Sequence, residues 1–286
     1  YGRHYLLRFE ADGDERPAVS RGKRTEACVG DIVAAMRVGA DQAVIERIEP
    51  RRNLLQRSDR YRSKALAANV DRAAVVIAGE PSYSEELLLR IMLAVEGSGI
   101  ALLVIANKID LVEAHRRIAP RLELLRSLGY PVAEVSAEMA PAEAAKVLRP
   151  WLADSVTVLL GESGMGKSSL VNVLVPDAEQ TTREVSVALG TGRHTTTFTR
   201  LFELDDAVAP DARIIDSPGF QTFGLAHLSA SQRVHAMADF RPYIGQCRFH
   251  SCTHRREPDC AIRAAAQAGE IDPLRYRLFI ELHERD

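Results

Sequence analysis

Gly161-Glu162-Ser163-Gly164-Met165-Gly166-Lys167-Ser168 follows the spacing G-x-x-x-x-G-K-[ST]. In that pattern the glycines let backbone N–H groups close around phosphate oxygens. The context is right for it. Val156–Leu160 reads as a strand, and Lys167-Ser168-Ser169-Leu170-Val171 opens a helix whose N-terminal dipole favours an anion. Lys167 is placed for the β- and γ-phosphates and Ser168 for Mg²⁺. Asn107-Lys108-Ile109-Asp110 matches N-K-x-D, and Asp216-Ser217-Pro218-Gly219 matches D-x-x-G. Asp110 can accept from guanine N1–H and N2–H₂. Adenine has no 2-amino group and puts an acceptor there, so guanine is the expected base. Asn107 is expected on N7 and Lys108 along the base. The pair Ser136-Ala137 fits the element whose backbone N–H meets guanine O6. Asp216 is the expected carboxylate near Mg²⁺, and the Gly219 N–H is aimed at the γ-phosphate.

The order of these elements is unusual. N-K-x-D precedes the P-loop by about fifty residues, whereas the phosphate loop ordinarily comes first in GTPases of this type. That is a circular permutation. The switch that closes over Mg²⁺ is expected within Thr181–Thr197, with Thr196 as the ligand and Thr195 as the alternative. After D-x-x-G many GTPases carry a glutamine that orients the attacking water. Phe220 stands there in this chain, so unaided hydrolysis is expected to be slow. His194 is the candidate to position water in its place.

A second constellation lies near the C-terminus. Cys247-x₄-Cys252-x-His254-x₅-Cys260 supplies three thiolates and an imidazole. This is a complete tetrahedral set for one structural Zn²⁺, with no position left for a substrate. Disulfides would leave an odd cysteine and an unexplained histidine. Arg241, Arg248, Arg255 and Arg256 lie around the cluster with no acidic residue among them from 241 to 256, a composition compatible with a nucleic-acid surface. Cys28 stands apart and reads as a small buried residue.

The elements that must position these groups fall into blocks. Residues 1–55 show short alternating runs (His4–Glu10, Ala18–Arg21, Ala27–Val38, Ala43–Ile48) separated by turn residues, as an OB-like β-barrel requires. The chain opens at Tyr1, so the first barrel strand is expected to be incomplete. The basic stretch Arg51–Lys64 reads as an exposed connector, and 56–65 is taken as the linker between domains. From 66 to 228, β-branched runs at Val75–Ala78, Leu102–Ala106, Val132–Val135, Val156–Leu160 and Arg213–Ile215 alternate with helical patterns such as Glu85–Glu96 and Ile118–Leu128. These describe a central α/β P-loop GTPase domain with a parallel sheet. Residues 229–286 are expected to form a helical zinc-binding module, with a helix near Ser231–Phe240 and a helical tail from Pro273.

Composition bounds the rest. The 286 residues are 46% hydrophobic and 27% charged, values of an ordinary globular chain. No run reaches the roughly 18 apolar residues of a membrane span, so no membrane partner is expected. A formal net charge of −2 confines any nucleic-acid contact to local patches.

Taken together, the permuted motifs, the barrel-like start and the Cys-x₄-Cys-x-His-x₅-Cys cluster resemble the RsgA (YjeQ) family of small-ribosomal-subunit-dependent GTPases. Arg62-Ser63-Lys64 leading to Ala67-Ala68-Asn69-Val70-Asp71, Gly192-Arg193-His194-Thr195-Thr196, and Asp216-Ser217-Pro218-Gly219-Phe220 carry the likeness. The resemblance implies hydrolysis of GTP to GDP during late maturation of the 30S subunit, stimulated by that particle. It also implies contact with 16S rRNA through the barrel and zinc module, and a cytoplasmic monomer. A metabolic nucleotide enzyme would need fast turnover without a macromolecule, and Phe220 argues against it. Because switch II at Asp216 runs almost directly into the zinc module, loss of the γ-phosphate is expected to reorient that module.

Overall fold

Alternating apolar residues at the start of the chain form four strands, β1 (His4–Arg8), β2 (Glu15–Ser20), β3 (Val33–Val38) and β4 (Gln42–Ile48). A computed structural model describes residues 4–21, 27–58, 61–176, 178 and 199–285. The strands make a sheet of order β1-β2-β4-β3, with β2 and β4 parallel and the outer pairs antiparallel. Ala18, Ala43 and Ile45 are its buried residues. The strand expected from Ala27 begins only at Val33. Before it, the Asp31 carboxylate accepts from the Cys28 N–H at 2.8 Å and pairs with Arg51 at 2.7 and 2.8 Å, holding a turn there. Cys28 is half-buried, and burial pushes its thiol up to about 12.

The linker expected over 56–65 is not one. Residues Leu54–Ser58 (β5) and Ser63–Ala68 (β6) pair antiparallel from Leu54↔Ala68 to Ser58↔Ser63. The physical reason is burial, since Leu55 and Ser58 of β5 and the consecutive Leu66, Ala67 and Ala68 of β6 are all inside, so the β6 end of the hairpin is covered on both faces. The neighbouring arginines are used internally, Arg51 on Asp31 and Arg52 on Asp71. Asn53 bridges to the backbone N–H and C=O of Val70.

Strands β7 (Arg72–Ala78), β8 (Ala101–Asn107), β9 (Val132–Glu134), β10 (Val156–Leu160), β11 (Arg200–Glu203) and β12 (Arg213–Asp216) build one six-stranded sheet, ordered β11-β12-β10-β7-β8-β9. All neighbours are parallel except the edge strand β11. Successive side chains feed opposite faces. Ala73, Val75 and Ile77 join one apolar cluster with helix α1 (Glu85–Gly97) and with Leu122 and Leu125 of α2 (Val112–Ser127). Ala74, Val76 and Ala78 join the other with α3 (Pro141–Leu152) and α4 (Lys167–Leu174).

The first of these clusters continues without a break into the C-terminal elements. These are α5 (Ala230–Ala236), a 3₁₀ turn at Ala238–Tyr243, α6 (Ala261–Ala268) and α7 (Pro273–Arg285). The helix expected over Ser231–Phe240 is broken at Met237, which is extended (φ −80°, ψ 106°) and fully buried. Two residues on, Asp239 is drawn into a buried ion pair with Arg275 at 2.8 and 3.0 Å. The tail from Pro273 is helical, in agreement with the sequence.

Candidate nucleotide site and metal centre

Strands β8, β9, β10 and β12 run parallel, so the segments that follow them emerge at one edge, where ligands of open α/β sheets bind. There the structure brings N-K-x-D, Ser136-Ala137, the P-loop and D-x-x-G together. Gly161 (φ 138°) and Gly166 (φ 88°) have conformations that side chains avoid. A Cβ on Gly166 would lie 2.2 Å from Asn107 Nδ2, and one on Gly161 would lie 2.4 Å from the Val76 carbonyl. Gly166 leads directly into α4, and Ser163, Gly164, Ser168 and Ser169 face outward while Met165 is buried below.

Asn107 does more than the sequence indicated. It is buried, its Nδ2 donates to the Met165 carbonyl at 3.1 Å, and its Oδ1 accepts from the Ala137 N–H at 3.1 Å. It therefore ties the phosphate loop to the base-reading turn. The single hydrogen of the Ala137 N–H is committed to this strut, because a buried amide oxygen needs a donor, so in this structure it is not directed at a base as the Ser136-Ala137 reading expected. Lys108 follows in a left-handed conformation (φ 61°) and exposes Asp110 at the surface. The Ser136 hydroxyl donates to Asp110 Oδ1 and accepts from the Met139 N–H at 3.2 Å. Ser136 thus orients the carboxylate that the N-K-x-D pattern assigns to the base.

Lys167 is buried and donates to the carbonyls of Gly161 (3.0 Å) and Glu162 (2.7 Å). Burial pushes its ammonium down to about 8, against the opposing pull of Asp216 and Glu162. Burial likewise pushes Asp216 up to about 6, against the pull of Lys167. Gly219 lies on the P-loop, where an added Cβ would be 2.8 Å from the Ser163 backbone. The next N–H, of Phe220, donates to the Gly161 carbonyl at 3.1 Å. Sequence reading missed the Glu162 carboxylate, which accepts from the backbone N–H of Ser84, the N-cap of α1. A carboxylate inside the loop was the available signal. His194, Thr195, Thr196 and the whole expected switch Thr181–Thr197 lie outside the described residues.

Cys247, Cys252, His254 and Cys260 place their donor atoms within 4.8 Å of one another. Three separations are 3.5 Å (Cys247 Sγ to His254 Nδ1), 3.6 Å (Cys260 Sγ to His254 Nδ1) and 3.9 Å (Cys247 Sγ to Cys260 Sγ). A tetrahedron with zinc–sulfur and zinc–nitrogen bonds of ordinary length has edges of about 3.5 to 3.8 Å, which these three separations among Cys247, His254 and Cys260 match, with Cys252 within 4.8 Å of them. Burial pushes the Cys252 thiol up to about 12 and lowers the His254 imidazole. A bound dication reverses the thiol preference. His254 adopts a left-handed backbone (φ 62°), its carbonyl receives the Tyr276 hydroxyl at 2.8 Å, and Cys260 begins α6 by accepting from the Arg263 N–H. Glu257 gathers the loop by accepting from the N–H groups of Thr253, Arg255 and Arg256, and its carboxyl, held mainly by the Thr253 hydroxyl, falls to about 2.

No helix among the described residues is long and apolar enough to cross a membrane. A family model described as RsgA GTPase matches residues 48–226. The chain is 50% identical over 285 residues to the small ribosomal subunit biogenesis GTPase RsgA of Burkholderia pseudomallei strain K96243, covering 99% of this chain and 90% of that protein. It is 45% identical over 287 residues to the protein of the same description from Ralstonia pickettii strain 12J, covering 100% and 91%. Among solved structures it is similar to YjeQ from Thermotoga maritima (TM-score 0.72, 26% identity, 98% of this chain and 94% of that one). It is also similar to YloQ, described as a circularly permuted GTPase (TM-score 0.69, 26% identity, 99% and 91%).

Proposed function

The chain belongs to the RsgA GTPase family, and on that premise we propose that it hydrolyses GTP to GDP while bound to the maturing small ribosomal subunit, in the cytoplasm and as a monomer. One observation supports this best: Asn107 ties the base-reading turn to the phosphate loop at one sheet edge. A nucleotide bound there spans both elements at once. In this reading Asp110 accepts from guanine, Lys167 and the P-loop N–H groups of residues 161–169 hold the phosphates, and Ser168, Asp216 and Thr196 hold Mg²⁺ directly or through water. Mg²⁺ supplies neutralisation of the phosphate charge. His194 orients the attacking water.

The architecture assigned to this reading is an OB-like barrel over 1–55, a permuted GTPase domain over 66–228 and a helical zinc module over 229–286. The parallel β2–β4 pairing in a small sheet supports the barrel, and the donor geometry supports Zn²⁺ as the metal. Barrel and zinc module contact 16S rRNA, and switch II, leading into α5, links nucleotide state to the placement of the C-terminal module.

Steady-state GTP turnover with purified 30S subunits, against 50S subunits and ATP as controls, tests the reading. Stimulation by 30S with GTP alone is expected; equal rates with either particle or with none would overturn the ribosomal assignment. The two perturbed groups predict the pH dependence. Asp216 must be a carboxylate to serve Mg²⁺, so activity is lost as pH falls through about 6. Lys167 must be an ammonium to meet phosphate, so activity is lost as pH rises through about 8. A bell-shaped kcat/KM is therefore expected across about pH 5 to 9.5, since kcat/KM reports the free enzyme. A flat profile would remove one or both groups from the mechanism.

A further inference from the structure

Switch II does not lie on the GTPase core alone. The last two residues of β5 grip it at both ends, across about 165 residues of sequence. Arg57 stacks its guanidinium over the Phe220 ring, 5.6 Å from the centroid, and donates from Nη1 to the Thr222 carbonyl at 3.3 Å. Ser58 donates its N–H to the Gly224 carbonyl at 3.0 Å and accepts from the Ala226 N–H at 3.1 Å. Its hydroxyl accepts from the His227 N–H at 2.7 Å and shares a 2.7 Å hydrogen bond with His227 Nδ1. Under Arg57, Phe220 is buried edge-on against Phe223, at 5.3 Å between centroids. The Phe220 N–H reaches the Gly161 carbonyl, to which Lys167 also donates.

We infer that Arg57 is a positioning residue for GTP hydrolysis, acting through Phe220. The residue after D-x-x-G carries no hydrogen-bonding side chain here, so it contributes as an anchor. With its ring fixed between Phe223 and Arg57, the preceding Gly219 N–H is held at the P-loop. Arg57 closes that socket from the solvent side, with a cation over the ring face and a hydrogen bond to the backbone two residues on. Removing the guanidinium frees the ring on one side, and Gly219 samples positions in which its N–H misses the γ-phosphate. The nucleotide's contacts with Asp110 and the P-loop are untouched by this change. The loss therefore falls on kcat and spares KM.

The test is unaided GTP turnover of Arg57→Ala, Arg57→Lys, Phe220→Leu and the double variant Arg57→Ala with Phe220→Leu, without ribosomal particles. Wild-type turnover in the same assay reports on the GTPase reading itself, separately from the role of Arg57. For Arg57→Ala, kcat is expected to fall about five- to tenfold, the size of one lost partly desolvated cation–π contact plus its hydrogen bond, with KM unchanged within about twofold. Arg57→Lys, which keeps a cation and a donor, restores at least about half of the loss. In the Phe220→Leu background, Arg57→Ala has less than about a twofold further effect, because the ring it acts through is gone. An unchanged kcat in Arg57→Ala overturns the inference. So does an equal loss in both backgrounds, or a loss in Arg57→Lys as deep as in Arg57→Ala and accompanied by a lower unfolding temperature, which would mark a merely structural contact.

Discussion

Asp110→Asn is expected to weaken GTP binding by about 10²- to 10⁴-fold, the range for losing two charge-assisted hydrogen bonds while donors face donors. Asp110 is exposed at the end of β8, with Oδ1 oriented by the Ser136 hydroxyl. An asparagine there keeps a carbonyl for Ser136 and turns its NH₂ toward the guanine 2-amino group, which also donates. Xanthine carries a carbonyl at that position and would accept instead. The variant is therefore expected to prefer xanthosine triphosphate. Fluorescent-nucleotide titrations with both bases check this. GTP affinity within about fivefold of wild type would mean that the base is read elsewhere.

The largest effect on stability is expected at the metal centre. Cys260 is a donor, starts α6, and is itself part of the large cluster that also holds Phe240, Phe279 and α1. Cys260→Ser should lower zinc content from one per chain to near zero, because three donors retain the ion poorly. Structural zinc sites contribute folding free energy directly. Because the C-terminal core is continuous with the GTPase core, the loss should reach the whole domain and lower the unfolding temperature by about 10 °C or more. Metal analysis with thermal unfolding checks both parts. A wild-type chain treated with a strong chelator should behave alike. Retained zinc and an unchanged transition in Cys260→Ser would exclude it as a ligand.

Much of the site was readable because each motif combines residue type with a short, fixed spacing. The P-loop glycines, Asp110, Asp216 and the Cys₃His set were all singled out in that way, and the structure gathers the first three at one sheet edge and the last within 4.8 Å. Five buried strands were found too, because runs such as Val75–Ala78 and Val156–Leu160 need both faces covered. What was missed depends on contacts between distant residues. The Asn107 strut joins positions 30 and 58 residues apart, and Arg57 meets Phe220 from the β5–β6 hairpin that precedes the GTPase domain. The β5–β6 hairpin was misread because its arginines dominate the local composition. Leu55 and Leu66-Ala67-Ala68 carried the opposite signal, and Arg51 and Arg52 have internal carboxylate partners. The break at Met237 was invisible because it answers to Arg275, which arrives 38 residues later.

The permuted strand order has a consequence for synthesis. Of the six-stranded sheet, a ribosome producing this chain releases β7, β8 and β9 first, with the base-reading corner and its helices, and β10 only later. Until β10 arrives, the β7 edge that it will pair, Arg72 to Val75, has no strand beside it, although it is central in the finished sheet. Such edges template association with other chains. The nascent chain is therefore expected to carry an exposed edge in the interval between Asn107 and Leu160 leaving the exit tunnel. The insertion of one strand, β10, ends that interval and at the same stroke delivers the phosphate loop to the base reader.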